Sequence, residues 1–565
     1  MKKFRLSIVL LCCLTVLSAT TGCFSKYSKY WNLNSDSINS LQSLSDTTDS
    51  DTVTPLVQEY YFEEYNCSNT KYEDMKIKEV DEEEFSKLCE ELEDYAGSGD
   101  TDGWTDKFYH LNDLLCTTWT NNSLLEVESY REPSNEEISD KLYETSAFFT
   151  LARTELISSL NTVLTGDYSD IASKLPDYIK ETAKYFDEES SAELNKLTNK
   201  ETELTLKYNQ LIGESTTENE IYDIYIELVD IRKQIAKKSG YDNYADYAYE
   251  CVFGRTYTPE DAKIMCDSIK KYVVPYYNDI SDDVFDSTMA LYLLDVSSDR
   301  IKNMLKYGAE HLSFETAQAY GDLEKLGLCD IEQSDTKSNC GFTTYFADYE
   351  EPFIFNAPYG YYQDYMDIFH EFGHFVSAYY NPADDIWGIS DYDLAELQSQ
   401  GMEIMFTMFY DEIFGDSADS ARKVLTGNLL SSVIEGAMYD EFQRRTFDEE
   451  SLTHDVIDRI FDEVAEEYGY SDYVEEGYWM NISHMFEQPF YYISYSVSAL
   501  GALEFLGLTA DNPKDAAEKY MQVLSMGIDC YYFQDAIEAA DLEDVFTEKI
   551  GETVVSGIKS TEYFV

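Results

Sequence analysis

The sequence predicts a mainly α-helical protein, and three observations carry this prediction. The chain of 565 residues contains only 10 Pro and 26 Gly, which are too few for the many turns of a β-sandwich. From Tyr60 onward, apolar residues recur three and four positions apart, the spacing that places them on one face of a helix. One segment, residues 342–355, has instead the aromatic and β-branched composition of strands.

The chain is strongly acidic, with 110 Asp and Glu against 41 Lys and Arg and a formal net charge of −69. A nucleic-acid-binding protein needs a basic face to neutralise phosphates, so we expect no nucleic-acid partner. The same charge excludes docking on an anionic membrane through a basic patch. Hydrophobic residues nevertheless make up 44% of the chain, which is enough for a large folded core.

The first 22 residues are typical of a bacterial lipoprotein signal peptide. A basic start precedes the apolar stretch of residues 6–17, which is too short to span a membrane. Thr20-Thr21-Gly22-Cys23 follows and resembles a lipobox, with Thr20 where Leu is usual. We therefore expect Cys23 to be lipidated and the protein to be held at the outer face of a bacterial membrane by lipid alone.

Residues 23–58 are dense in Ser, Asp, Asn and Thr and are predicted to form a flexible tether. Some 30 residues of this kind have an r.m.s. span of roughly 30 Å, enough to hold a folded domain away from a membrane. Eight further cysteines are scattered along the chain without metal-finger spacing, and the sequence leaves their disulfide state open.

Capping signals delimit several helices in the body that follows. Residues 218–240 repeat apolar positions along one face and end in Lys237-Lys238 and Gly240. Thr258-Pro259 predicts the start of another helix, which we expect to end at Pro275. The acidic run of residues 81–84 is interpreted as a solvated helix start rather than a binding site.

The segment 342–355 predicts two short strands joined by a turn around residues 348–352. Because Pro352 has no N–H to donate, the second strand is expected to begin at this residue or to lie at the edge of its sheet.

Directly after these strands stands His370-Glu371-Phe372-Gly373-His374. Two His four residues apart on a helix project from one face and can share one zinc ion. Glu371 then lies beside the reacting water rather than on the metal. The alternative interpretation is a pair of buried, hydrogen-bonded helix histidines. Because the chain has only six His, we favour the metal site.

A catalytic zinc needs a third protein ligand. Ser390 is predicted to cap a second helix that carries Glu396 and Glu403, which are seven residues apart and therefore share a face. Either carboxylate can be the ligand, and the other can accept a hydrogen bond from a ligand imidazole. The spacing leaves this choice open.

The two motifs together resemble the thimet oligopeptidase and oligoendopeptidase F family of zinc peptidases, and the likeness covers about residues 200–545. The resemblance implies a large, two-lobed helical peptidase with a deep central channel and a small β-sheet beside the zinc helix. It implies a helical N-terminal lobe over residues 59–330 and a catalytic lobe over residues 331–565. It also implies one zinc ion per chain held by His370, His374 and Glu396, with Glu403 in support.

His484 and the aromatic run that follows resemble the His and Tyr side chains that in this family donate hydrogen bonds to the oxyanion and the substrate backbone. By this likeness the candidates are His484, Tyr491 and Tyr495. An apparent extra residue after His484 makes Tyr492 the alternative to Tyr491. Without the resemblance, these side chains would be interpreted as core aromatics in a chain with 49 Tyr.

The resemblance implies a monomeric zinc endopeptidase that hydrolyses short unstructured peptides, with the strand around residues 353–356 as a docking edge for the substrate. Two alternatives stay open. One is a zinc carboxypeptidase or dipeptidase with the same ligands. The other is a surface lipoprotein that binds peptides without cleaving them.

Overall fold

The computed structural model describes residues 53–564 with several gaps. The gaps are residues 63–68, 167, 177–178, 181–190, 212–217, 293, 295, 335, 339, 359, 383–386, 388–389, 472–473 and 475–476. The predicted signal peptide, Cys23 and most of the predicted tether therefore lie outside the described residues, and so does Thr217, which precedes the helix predicted to start at residue 218.

Helices dominate the described chain, so the predicted mainly α class is confirmed. The helices before residue 330 are α1 (Glu82–Ser98), α2 (Thr101–Arg131), α3 (Glu136–Thr165), α4 (Ser169–Ala172), α5 (Ser191–Leu211), α6 (Glu218–Lys238), α7 (Tyr244–Tyr247), α8 (Pro259–Ser268), α9 (Val274–Leu291), α10 (Ser298–Leu312) and α11 (Phe314–Leu326).

A small sheet separates these helices from a second helical series. Its strands are β1 (Cys329–Asp330), β2 (Gly341–Phe346) and β3 (Glu351–Asn356). The helices that follow are α12 (Gln363–Tyr380), α13 (Tyr392–Phe406), α14 (Tyr410–Phe414), α15 (Ala418–Asp448), α16 (His454–Glu467), α17 (His484–Glu487), α18 (Ile493–Asp511), α19 (Pro513–Leu524), α20 (Phe533–Ala539) and α21 (Ile550–Ser560).

Local sequence signals account for several helix ends. Thr258 caps α8 in a reciprocal capping box with Asp261, as the Thr-Pro start predicts. The predicted end at Pro275 is wrong, because a π-helical turn at Ile269–Val273 connects α8 to α9 and places Pro275 in the first turn of α9. A Pro is tolerated there because the N–H groups of a first turn have no partner within the helix.

The sheet has the strand order β1-β3-β2, with β1 parallel and β2 antiparallel to β3. The two predicted strands are therefore present, and Pro352 is the second residue of β3, close to the start that the sequence predicts. The prediction that β3 offers a free docking edge is wrong, because Ile354 and Phe355 pair with β1 on one side and with β2 on the other. Within the described sheet, β2 is the edge strand beside the helix α12.

The apolar side chains form two clusters. The smaller cluster contains side chains of the four helices α1, α2, α3 and α4 together with Trp387. The larger cluster contains the sheet and the remaining helices. In the described chain one helix, Ile493–Asp511, is long and apolar enough to cross a membrane, but most of it is buried inside the protein. It packs against α13 and α15 as the central helix of the larger cluster. The division into two lobes at residue 330 stays a prediction.

Candidate metal centre and active site

The helix α12 carries the His-Glu-x-x-His motif, and the turn before it fixes where the helix begins. Gly360 adopts φ of +87°, which a side chain would oppose, and the Asp364 carboxylate accepts hydrogen bonds from the N–H groups of Gly360 and Tyr361 at 2.8 and 3.1 Å. Phe369, Phe372 and Phe375 are fully buried on α12. This packing against the core holds the helix in place while His370 and His374 face α13.

The helix α13 brings the two candidate carboxylates opposite α12. Asp391, rather than the predicted Ser390, caps α13 by accepting the Leu394 N–H at 2.8 Å. The Ser390 hydroxyl instead donates to Asp529 at 2.6 Å. Gly373 lets the two helices touch, because a Cβ at that position would lie 2.6 Å from the Cα of Ser399.

His370, His374 and Glu396 converge on one point between these helices. Glu396 Oε2 lies 3.3 Å from His370 Nε2 and 3.8 Å from His374 Nε2, and the three ligand atoms are all within 4.8 Å of one another. Two atoms bound to one tetrahedral zinc ion at about 2.1 Å are roughly 3.4 Å apart. Two imidazole nitrogens and a carboxylate oxygen at this spacing therefore fit a zinc ion with one coordination position left open.

Glu403 takes a different place. Its Oε1 lies 2.9 Å from His370 Nδ1, the ring nitrogen that points away from Glu396. A carboxylate at this position accepts the Nδ1–H and leaves the Nε2 lone pair free for a metal. The geometry thus distinguishes the two carboxylates, which the spacing in the sequence could not do. Glu396 lies beside both imidazoles and Glu403 lies on the far side of His370, the arrangement that the resemblance implies.

Burial and charge together set the ionisation of the cluster. Burial acts to raise the pKa of Glu396, but the two imidazoles and the Ser399 hydroxyl lower it to about 2. Burial lowers the pKa of His374 to about 4. Burial acts to lower the pKa of His370, but Glu396 and Glu403 raise it well above its usual value, so a cation that binds to this ring displaces a proton.

Glu371 is buried next to His370, His374 and Glu396, on the face of α12 that contacts β2. The Thr343 hydroxyl of β2 lies 2.7 Å from Glu371 Oε2 and 3.0 Å from the Glu371 carbonyl oxygen. Burial raises the pKa of the Glu371 carboxyl to about 7, while His370 and Thr343 act in the opposite direction. Thr343 was not among the predicted site residues, because nothing in the strand sequence separates it from Thr344.

The predicted His484, Tyr491 and Tyr495 form one cluster of rings. His484 stacks on Tyr491 with centroids 5.2 Å apart, and Tyr495 lies 6.1 Å from His484. Tyr492 also contacts His484, at 5.3 Å, so both alternatives lie against the imidazole. Burial lowers the pKa of His484 to about 4, so this ring is neutral and presents one N–H donor.

The aromatic cluster touches the helices that carry the candidate metal ligands through α13. Tyr392, one turn before Glu396, lies 6.0 Å from the Tyr491 ring. Arg255 adds a second link that sequence reasoning missed. Its guanidinium donates to the Ser494 hydroxyl at 2.8 Å and to the Tyr491 carbonyl at 3.5 Å, and its Nε lies 3.9 Å from Asp393 of α13. The sequence offered no signal for this bridge, because its partners lie more than 130 residues further along the chain.

Comparisons with known proteins give a match at the level of structure. No protein-family model and no curated protein sequence matches the chain. A solved oligoendopeptidase F structure has a TM-score of 0.72 over 87% of this chain and 98% of its own, at 19% identity. An oligoendopeptidase F from Bacillus anthracis str. Ames has a TM-score of 0.69 over 87% and 97% of the two chains, also at 19% identity. This chain has the oligoendopeptidase F fold.

The predicted resemblance is therefore confirmed in the fold. A carboxypeptidase of the M32 family from Deinococcus radiodurans R1 is also similar, with a TM-score of 0.55 over 82% of this chain and 99% of its own, at 13% identity. One architecture thus occurs in structures named as endopeptidase and as carboxypeptidase.

Proposed function

We propose that this protein is a zinc-dependent endopeptidase that hydrolyses short unstructured peptides. The observation that carries the proposal is the convergence of His370, His374 and Glu396 beside the buried Glu371, in a fold shared with peptidases. Zinc, when bound by these three side chains, supplies Lewis-acid polarisation of a peptide carbonyl and lowers the pKa of water. The remaining roles belong to side chains of the chain itself.

Glu371 is placed to take a proton from the attacking water and to deliver it to the leaving amine. In the metal-free protein burial raises the pKa of this carboxyl to about 7, and a cation bound beside it would lower that pKa. Thr343 holds one carboxylate oxygen, so the other is free to face the water. The neutral His484 and the phenols of Tyr491 or Tyr492 and of Tyr495 are candidate donors to the oxyanion that forms at the carbonyl.

An extended substrate finds a main-chain partner at β2 rather than at β3. Among the described residues no strand pairs with the other side of β2, so this side can pair with a peptide strand, as in other proteins that bind peptides by strand addition. Because Thr343 of β2 is bonded to Glu371, a peptide paired with β2 would pass next to this carboxylate.

The test is the hydrolysis of internally quenched fluorescent peptides by the zinc-loaded protein and by Glu371→Gln. The variant keeps the metal ligands, and we expect kcat to fall about 10²- to 10⁴-fold with zinc content unchanged. Wild-type turnover in the variant would overturn the mechanism. Mass spectrometry of the products separates internal cleavage from the stepwise C-terminal trimming expected of a carboxypeptidase, the alternative that the M32 fold likeness raises.

We also propose that lipid on Cys23 holds the enzyme at the outer face of a bacterial membrane. The signal-like residues 1–22 support this, and so does the Ser- and Asp-rich composition of the residues that follow them. The first described residues are bound to the folded body at residues 56 and 57. There the N–H groups of Leu56 and Val57 donate to the carbonyls of His311 and Leu312 at 2.8 and 2.9 Å. Incorporation of labelled fatty acid into wild type but not into Cys23→Ser tests the anchor, and equal labelling would exclude it.

A further inference from the structure

Glu435, in the middle of α15, is a largely buried carboxylate without a cationic partner. Its Oε1 lies 3.0 and 3.1 Å from the hydroxyls of Ser431 and Tyr470, which also hydrogen-bond to each other at 2.7 Å. No Lys, Arg or His of the described chain forms an ion pair with it. The side chain keeps partial solvent access although Ile434 and Gly436 on either side are buried.

Glu441 on the same helix illustrates the ordinary arrangement. Its carboxylate pairs with Lys270 at 2.9 Å and with Arg445, and despite burial these partners lower its pKa to about 2. At Glu435 no cation counteracts the effect of burial, and burial raises the pKa of this carboxyl to about 7. A carboxylate whose partners are hydroxyl groups rather than a cation binds a positive group more readily than one that is already paired.

Glu435 lies on a row of α15 side chains that connects the two halves of the active site. At one end, Asn428 Nδ2 lies 3.9 Å from the sulfur of Met366. Met366 is one turn before His370 on α12 and shares the face that carries the metal ligands. The row thus begins at the metal-bearing face of α12.

At its other end the row reaches the aromatic cluster. Tyr439, one turn after Glu435, contacts the ring of Tyr492 at 5.0 Å, and Tyr492 contacts His484. Burial and the nearby Glu435 charge both raise the pKa of Tyr492, which places the carboxylate close to that phenol. Glu435 therefore lies on α15 between a contact with the α12 face that carries His370 and a contact with the predicted oxyanion donors.

We propose that Glu435 forms a subsite that binds a cationic group of the substrate, either a Lys or Arg side chain or the terminal ammonium of a short peptide. The proposal rests on the peptidase function proposed above and adds a substrate preference to it. Ser431 and Tyr470 orient the carboxylate, and the ion pair with the peptide forms away from bulk water.

The experiment compares wild type with Glu435→Gln on matched peptides. One series replaces Lys by norleucine at each position near the cleaved bond, and a second compares free with acetylated amino termini. We expect wild type to favour the cationic member of one series by roughly tenfold in kcat/KM. Glu435→Gln keeps the Ser431 and Tyr470 contacts, so it should lose this preference and leave turnover of the neutral peptides unchanged. The series in which the preference disappears identifies the cationic group.

Asp419→Asn is the matched control, because it removes one negative charge from an exposed position of the same helix. If this control abolishes the preference as well, or if Glu435→Gln keeps it, the subsite is excluded. Binding of the same peptides to Glu371→Gln, followed by fluorescence anisotropy, tests the subsite without catalysis. Failure of wild type to cleave any peptide would refute the peptidase function, whereas equal binding of cationic and neutral peptides would refute the role of Glu435.

Discussion

Glu403 Oε1 lies 2.9 Å from Nδ1 of His370, while Nε2 of the same ring lies 3.3 Å from Glu396 Oε2. The imidazole is thus held between two carboxylates, one on each ring nitrogen. A carboxylate that accepts the Nδ1–H fixes the ring orientation and the tautomer, so that Nε2 presents its lone pair to a metal.

We therefore expect Glu403→Ala to weaken zinc binding about 10- to 100-fold, because the ring loses its orienting acceptor. Competition with a chromophoric chelator measures the affinity directly. Glu403→Gln retains an acceptor oxygen and should lie between wild type and Ala. Equal zinc affinity in all three proteins would show that Glu403 does not support the ligand.

Gly373 determines how closely α12 and α13, which carry the candidate metal ligands, approach each other. A Cβ there would lie 2.6 Å from Ser399 Cα and 2.9 Å from the Gln398 carbonyl oxygen, and both of these atoms are backbone. We expect Gly373→Ala to push α13 away from α12, to destabilise the protein by about 1–3 kcal/mol and to reduce zinc affinity.

Gly321→Ala in α11 is the matched control, since its Cβ would meet no atom within 4 Å. Ala favours a helix over Gly, so this variant should be neutral or slightly stabilised. Urea unfolding and zinc content report both effects. If Gly373→Ala matched the control in both measurements, the helix contact would not limit the metal site.

Thr343 positions the carboxylate of Glu371 through its hydroxyl, at 2.7 Å from Oε2. Thr343→Val keeps the shape of the side chain but removes this donor, so we expect kcat to fall about tenfold with KM and zinc affinity unchanged. Thr344→Val changes the next residue of β2 and is the control. A fall in kcat for both variants alike would indicate damage to the strand rather than loss of the hydrogen bond.

The sequence predicts those parts of the site that one helix contains. His370, Glu371 and His374 follow from helical spacing, because a period of 3.6 residues places positions four apart on one face. Glu396 and Glu403 share a face as well, and spacing alone could not separate them. The resemblance assigned the ligand, and the structure places Glu403 on the far nitrogen of His370.

Tertiary contacts account for what the sequence missed. Thr343 reaches Glu371 across 28 residues and Arg255 reaches Ser494 across 239, and no local pattern encodes either pairing. The prediction that β3 is an edge strand was wrong for a similar reason. The strand that covers it, β1, is two residues long and has no periodicity that a sequence could reveal.

Glu504 in α18 is a buried carboxyl outside the active site. Its Oε2 accepts the Glu543 N–H at 2.9 Å, and its Oε1 has no hydrogen-bond partner among the described residues. Burial raises the pKa of Glu504 to about 8, the Glu543 N–H and Lys519 act in the opposite direction, and the charges of Glu543 and Asp544 add to the rise. The folded protein therefore holds this proton more tightly than the unfolded chain does.

A carboxyl whose pKa is raised by folding stabilises the protein fully below its unfolded pKa, and this stabilisation is lost as the pH rises through about 8. Glu504→Gln cannot ionise, so we expect its free energy of unfolding to exceed that of wild type at pH 8.5 by an amount on the order of 4 kcal/mol, and the gap to close near pH 5. Urea unfolding at the two pH values measures this difference. Glu538→Gln, at an exposed position of α20, is the control for the substitution itself. A Glu504→Gln gap that is equal at both pH values would mean that the buried carboxyl does not ionise within this range.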